Sequence, residues 1–362
     1  MAIVHRIDRL DPEAALPGGE IRIWGQGMMP ARCVPEVRIA GARAAVGIAT
    51  PHMLTAKAPE GSSGGLLELS FSDAPAVFAP APLQVAALLA ENLHPVANPA
   101  VDAAGNIFTT LSGTRGQKTP VSIFKLDSSA AVRAWSGAIV NPSGLAFDRA
   151  GVLFVSSRND GAVYCCSPDG VPTVFAESLG IATGIAFDRS GDLYVGDRSG
   201  TIFKIDRKRN TFVFATLEPS VAAYHLAFGA DDFLYVTGPS TSSHDCVWRI
   251  NPSGQVEQFF TGLGRPQGLA FDCDGALLVV ASYRGRRGVI EVNSDRQART
   301  VVSGNNLVGI AFAPTGAPPG RGDHRAALIL ATHNALYRLP WPRTGAPLPI
   351  APIEAQTQSR PS

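Results

Sequence analysis

Gly144-Leu145-Ala146-Phe147-Asp148 returns along the chain as Gly184-Ile185-Ala186-Phe187-Asp188, His225-Leu226-Ala227-Phe228-Gly229, Gly268-Leu269-Ala270-Phe271-Asp272 and Gly309-Ile310-Ala311-Phe312-Ala313. A weaker first copy is Pro99-Ala100-Val101-Asp102. The six alanines are separated by 46, 40, 41, 43 and 41 residues. After a turn, five of the copies are followed by a second apolar run: Leu153-Phe154-Val155, Leu193-Tyr194-Val195, Leu234-Tyr235-Val236, Leu277-Leu278-Val279 and Leu328-Ile329-Leu330. A period near forty residues, built of short β-branched and aromatic runs divided by glycine turns, predicts the blades of a β-propeller. Six copies predict six blades.

The alanine has a geometric cause. The innermost strands of a propeller crowd about an axis while each blade packs on both neighbours, so one strand face has room for Leu or Phe and the other only for a small group. The alternation Leu, Ala, Phe fits such a strand.

Composition narrows the function classes. The 362 residues, 45% hydrophobic, can bury a large core and allow two or more domains. Basic and acidic residues number 31 and 30, a net charge of +1, which gives no global electrostatic case for nucleic acid or an anionic membrane. Glycine (37) and proline (28) punctuate many short strands without a low-complexity tract. The five cysteines, Cys33, Cys165, Cys166, Cys246 and Cys273, lack metal-type spacing and read as reduced apolar filler. Neither an apolar signal core at the start nor a run of roughly 18 uncharged apolar residues is present, so a cytoplasmic protein is expected.

Residues 1–83 stand outside the repeat. Pro17-Gly18-Gly19-Glu20-Ile21-Arg22-Ile23-Trp24-Gly25-Gln26-Gly27-Met28, Val37-Arg38-Ile39-Ala40-Gly41, Leu54-Thr55-Ala56-Lys57-Ala58-Pro59 and Leu67-Glu68-Leu69 alternate strictly between Gly and Pro breaks, as in a small β-sandwich. The segment resembles the IPT/TIG immunoglobulin-like family, with Met28 in place of the usual Phe and Ala40-Gly41 in place of Gly-Gly. That resemblance implies a spacer, a binding module or a homo-oligomer contact rather than a catalyst. The proline-rich stretch 73–82 reads as a stiff join.

The next segment bears on topology. Val85-Ala86-Ala87-Leu88-Leu89-Ala90-Glu91-Asn92-Leu93 resembles the outermost strand Thr173-Val174-Phe175-Ala176-Glu177-Ser178-Leu179 of a later blade, yet it precedes the first inner strand. The last repeat has only three runs, ending at Ala335-Leu336-Tyr337-Arg338-Leu339. Residues 85–90 are therefore expected to supply its fourth strand, closing the ring and removing an edge. The expected organisation is all-β: an Ig-like (IPT/TIG) sandwich at 1–83, a six-bladed propeller at 84–342 closed by its N-terminal strand, and a flexible tail at 343–362. The repeat phrase resembles NHL-repeat propellers and the wider superfamily of gluconolactonase and senescence-marker-like lactonases. That likeness carries the fold more than any chemistry, since such folds host hydrolases, lyases and binding modules alike.

Candidate site residues follow from the blade path, which brings the loops leading into the first strand and the loops after the second strand to one face. The first set offers Asn141, Tyr224, His225 and Gln267, and the second Arg115, Arg158, Arg198, His244, Arg284 and His333. An Arg or His after every second strand suggests a ring of donors for carboxylate or phosphate, because Arg pairs bidentately with such groups. The expected ligand-binding residues are Asn141, Arg158, Arg198, Gln267, Arg284 and His333. His225 replaces the glycine of its repeat and, with Tyr224, is the candidate catalytic pair, as base or proton carrier. The gluconolactonase resemblance implies a divalent cation, such as calcium, held by Glu, Asn and Asp before the first strands. Here those slots hold Ser143, Thr183, Tyr224, Gln267 and Val308, so no metal site is expected. Asp102, Asp148, Asp188 and Asp272, at the far strand ends, read as turn caps. Phosphate-cradling loops, a Gly-x-Ser-x-Gly elbow and Cys-x-x-Cys are missing, and Tyr224 and Tyr283 are too few platforms for RNA. The leading expectation is a binding or scaffold protein whose channel mouth takes an anionic small molecule or protein segment. The alternative is a lactone hydrolase or lyase with a nonstandard mouth of His225, Tyr224, Gln267 and Arg198.

Overall fold

The computed structural model describes residues 4–29, 34–72, 74–113, 117–313 and 326–346. Among them every regular element is a β-strand, and no helix is long and apolar enough to cross a membrane. The repeat phrases form six antiparallel four-stranded arrays among the described residues. Sheet I holds Ala100–Val101, Ile107–Thr110, Ile123–Leu126 and Val132–Ser136. Sheet II holds Pro142–Phe147, Leu153–Ser157, Ala162–Cys166 and Pro172–Ala176, and sheet III Ala182–Phe187, Leu193–Asp197, Thr201–Ile205 and Thr211–Thr216. Sheet IV holds His225–Phe228, Leu234–Thr237, Asp245–Ile250 and Val256–Leu263. Sheet V begins with Leu269–Phe271, Leu277–Tyr283, Arg286–Val292 and Ala298–Ser303. Sheet VI holds Leu307–Ala313, Ala327–Thr332 and Ala335–Pro340, and its fourth strand is Ala87–Glu91, antiparallel with Ala87 opposite Arg338 and Glu91 opposite Ala335.

Each sheet is open, and the first strands touch in the order I, II, III, IV, V, VI and back to I. The packing explains the sequence phrase. Ala186 of sheet III shares a core with Leu226 and Phe228 of sheet IV, Ala227 with Leu269 and Phe271, and Ala270 with Ile310 and Phe312. Each alanine thus leaves the space that the Leu/Ile and Phe of the next sheet fill. An aromatic in the second strand stands between two others: Tyr194 meets Phe214 of its own sheet and Phe228 of the next edge-on, at 4.9 and 5.0 Å. Phe108, Phe154 and Tyr235 do the same with Trp135 and Phe147, Phe175 and Phe187, and Phe259 and Phe271. Such pairs contribute roughly 0.5–1.5 kcal/mol each beyond the area they bury. The aspartates act as turn caps: Asp148 accepts from the Val152 amide and Asp188 from those of Ser190 and Asp192.

In the N-terminal region Arg6–Asp11, Glu20–Gln26, Met53–Lys57 and Val46–Ala49 form one sheet, and Val77–Phe78, Leu67–Ser70, Glu36–Ile39 and Ala42–Ala44 another. Ile21, Ile23 and Leu54 of the first share one core with Val37, Ile39, Leu67 and Leu69 of the second, and Met28 is buried in it. This region joins the ring through backbone. Sheet V continues past Ala298–Ser303 into Ala14–Ala15, Leu83–Val85 and Gly64–Gly65, with Ala15 parallel to Ser303. The Leu16 amide donates to the Ser303 carbonyl at 2.8 Å, and Arg286 pairs with Asp11 at 2.8 Å. The segment 73–82 is thus bypassed by a second tie. Of the tail, Arg343 pairs with Asp272 at 3.0 Å and with Glu291, and the Ala346 amide donates to the Phe271 carbonyl. Residues 347–362 lie outside the described residues, as do Cys33 and Arg115.

Candidate functional site: the arginine rim and the channel

One backbone bond places the rim arginines. The Arg158 amide, just beyond Leu153–Ser157, donates to the carbonyl of Asn141, and the Arg198 amide, just beyond Leu193–Asp197, donates to that of Ile181. The same bond joins His333 to Asn306 in sheet VI. Asn141 is buried with φ 48°, a left-handed turn that lets its carbonyl face the hairpin. The second-strand hairpins and the loops before the first strands are therefore locked together on one face.

Arg158 and Arg198, on adjacent sheets, are half-buried near one another. Burial first, and then the Arg198 charge, lower the pKa of the Arg158 guanidinium from its ordinary value. Arg198 donates from Nη2 to the Val221 carbonyl at 2.9 Å, and its buried Nε has no partner. Among the described residues, neither guanidinium pairs with a carboxylate. Asp197 is committed elsewhere: it accepts the Ile181 amide at 2.8 Å and is bonded by Ser199. Asp245 likewise takes Ser240 and the Arg265 amide. The other rim candidates are spread around the ring. Arg284 is exposed on sheet V, 5.0 Å over the Tyr283 ring, and His333 is exposed on sheet VI. Gln267 is half-buried, its amide bonded to the Val280 carbonyl and its own carbonyl accepting from Thr237 Oγ1 at 2.5 Å.

Tyr224 and His225 stand in different surroundings. The strand His225–Phe228 begins at His225, and Tyr224 lies in the loop before it. Tyr224 is 1% exposed in the core between sheets III and IV, its hydroxyl donating to the Glu218 carbonyl, and burial raises its pKa well above the ordinary value. His225 is 3% exposed and lines the central channel. Among the described residues its imidazole makes no hydrogen bond, and burial lowers its pKa from 6.5 to about 4, so the ring is neutral at pH 7.

The channel is a cavity of about 680 Å³ walled by the six first strands. Its wall runs from Gly144, Gly184, His225 and Asn98 at one end to the turns at Asp102, Ala103, Asp148, Arg149 and Gly151 at the other, where Thr344–Ala346 also reach it. The narrow end is set by close backbone approach: a Cβ on Gly184 would lie 2.4 Å from the Tyr224 carbonyl oxygen, and one on Gly268 2.2 Å from Asn98 Oδ1. Asn98 spans this end, donating to the Leu269 carbonyl and accepting from the Ile310 amide, both at 3.1 Å. A divalent cation needs several converging oxygens. Here the Asn98 oxygen is already engaged, the neighbouring wall is Gly, Ala, Leu, Ile and Phe, and among the described residues no group of three His, Cys, Asp or Glu could hold a metal. The residues present do not fit such an ion.

No protein-family model matches the chain, and no curated protein matches it in sequence. Solved structures do match in fold. A candidate gluconolactonase aligns with a TM-score of 0.57 at 16% identity, over 72% of this chain and 93% of its own. The calcium-binding protein regucalcin from Agrobacterium tumefaciens str. C58 aligns at 0.56 and 17%, over 73% and 96%. A protein of unknown function from Bacteroides thetaiotaomicron VPI-5482 aligns at 0.56 and 13%, over 94% and 98%. At these identities the likeness establishes the fold alone, an all-β chain with a β-propeller like those of the three structures.

Proposed function

We propose that the chain is a ligand-binding protein: an immunoglobulin-like sandwich of IPT/TIG type and a six-bladed propeller, closed by Ala87–Glu91, whose hairpin face takes an anionic small molecule or an acidic protein segment. The observation that carries this reading is the pair Arg158 and Arg198, half-buried on adjacent sheets, of like charge and, among the described residues, without a carboxylate partner. An anion bridging them removes the repulsion and supplies charge-assisted hydrogen bonds. A small dicarboxylate or phosphate needs only this pair. An acidic segment laid across the face would also meet Gln267, Arg284 and His333.

Calorimetric titration with succinate and with inorganic phosphate tests the reading. Saturable binding is expected, at least about tenfold weaker in Arg158→Ala and in Arg198→Ala. Equal binding by wild type and both variants would exclude the pair as the site. A second reading, lactone hydrolysis or elimination at the channel, draws support from the neutral imidazole of His225. Turnover of a simple aldonolactone, abolished by His225→Gln and indifferent to calcium, would favour it.

A further inference from the structure

The channel wall is polar at few points, and those points are unequal. Asn98 has both ends of its amide engaged by sheets V and VI, whereas His225, 3% exposed, lines the cavity and makes no side-chain hydrogen bond among the described residues. A polar side chain that lines a cavity and makes no hydrogen bond within the protein offers one to a ligand seated there. The cavity, about 680 Å³, lies in the range of small-molecule sites. It does not open toward the arginines: none of the second-strand hairpins lines it, and its wall extends instead to the turns between first and second strands. Part of that outer end is covered by Thr344–Ala346, held through the Gly345 bridge to Asp272.

We propose that the channel is a second binding site, opening on the face opposite Arg158 and Arg198, for an uncharged, largely apolar small molecule whose one hydroxyl, amine or carbonyl reaches His225. Apolar walls favour the body of such a ligand; Asp102, Asp148 and Arg149 line only the outer end, so a charged group at the His225 end would be desolvated without a counter-charge. The neutral imidazole can donate from one nitrogen and accept at the other, so it matches either polarity of an uncharged end. The ligand enters between the turns, past Ala103, with its polar end leading.

The probe is N-phenyl-1-naphthylamine, uncharged and fluorescent in apolar surroundings, titrated into the full chain. One saturable site is expected, displaced by 1-decanol and not by decanoate at pH 8. Ala103→Trp, at an exposed turn position on the rim, should weaken binding severalfold, and His225→Phe about tenfold through loss of the hydrogen bond. Arg158→Ala and Arg198→Ala should leave it unchanged, so this site and the anion site fail separately. Non-saturable fluorescence, binding undiminished in Ala103→Trp, or displacement by decanoate as effective as by decanol would overturn the proposal.

Discussion

Replacing His225 by glutamine should remove a specific part of the acid sensitivity of the fold. In the native state the imidazole is 3% exposed without a hydrogen bond, and burial lowers its pKa to about 4. In the unfolded chain it titrates near 6.5. Between those values the unfolded state binds a proton that the native state refuses. The stability held above pH 6.5 is therefore lost progressively as pH falls toward 4, and below 4 the loss from this residue stops. The displacement from 6.5 to about 4 corresponds to roughly 3 kcal/mol. Urea unfolding followed by far-ultraviolet circular dichroism at pH 7, 6, 5 and 4 measures it. Wild type should lose roughly 3 kcal/mol more than His225→Gln between pH 7 and pH 4. Parallel pH curves for the two proteins would refute the claim that this imidazole is buried and unpartnered.

Other expectations concern how the ring is held. Gly268→Ala should cost roughly 1–3 kcal/mol in thermal or urea unfolding, because its Cβ would meet Asn98 Oδ1 and, at 2.7 Å, the Gly309 Cα. Asn98→Ala should cost about 2 kcal/mol by leaving the Ile310 amide and the Leu269 carbonyl without their bridge, again read by unfolding. Gly19→Val places side-chain atoms against the Ser303 carbonyl and hydroxyl, at 2.5 and 2.7 Å from the Cβ, and should loosen the N-terminal sandwich from sheet V. X-ray scattering should then show a larger radius of gyration with unchanged circular dichroism. Leu88→Pro removes an amide from the strand that completes sheet VI and should lower the unfolding temperature, an effect absent if that strand is dispensable.

The repeat was legible because packing between sheets demands the same small residue each time: Ala186, Ala227 and Ala270 each face a Leu or Ile and a Phe of the following sheet. The pairing of Ala87–Glu91 with Ala335–Pro340 was legible because its residues copy an outermost strand. The extension of sheet V by Ala14–Ala15, Leu83–Val85 and Gly64–Gly65 was not, since strands of two or three residues carry no period and their bonds are made by backbone. The rim arginines could be placed on one face from blade topology. That Arg158 and Arg198 lack carboxylate partners among the described residues could not be foreseen, because Asp160 and Asp197 stand close to them in sequence but are spent on amides and hydroxyls. Arg286 carries the same rim pattern yet serves the join, through Asp11.

A crystal structure of the protein grown in saturating succinate tests the central claim most directly. The account predicts a carboxylate in contact with both Arg158 and Arg198. Guanidiniums turned apart into solvent, with the anion absent or bound elsewhere, would contradict it.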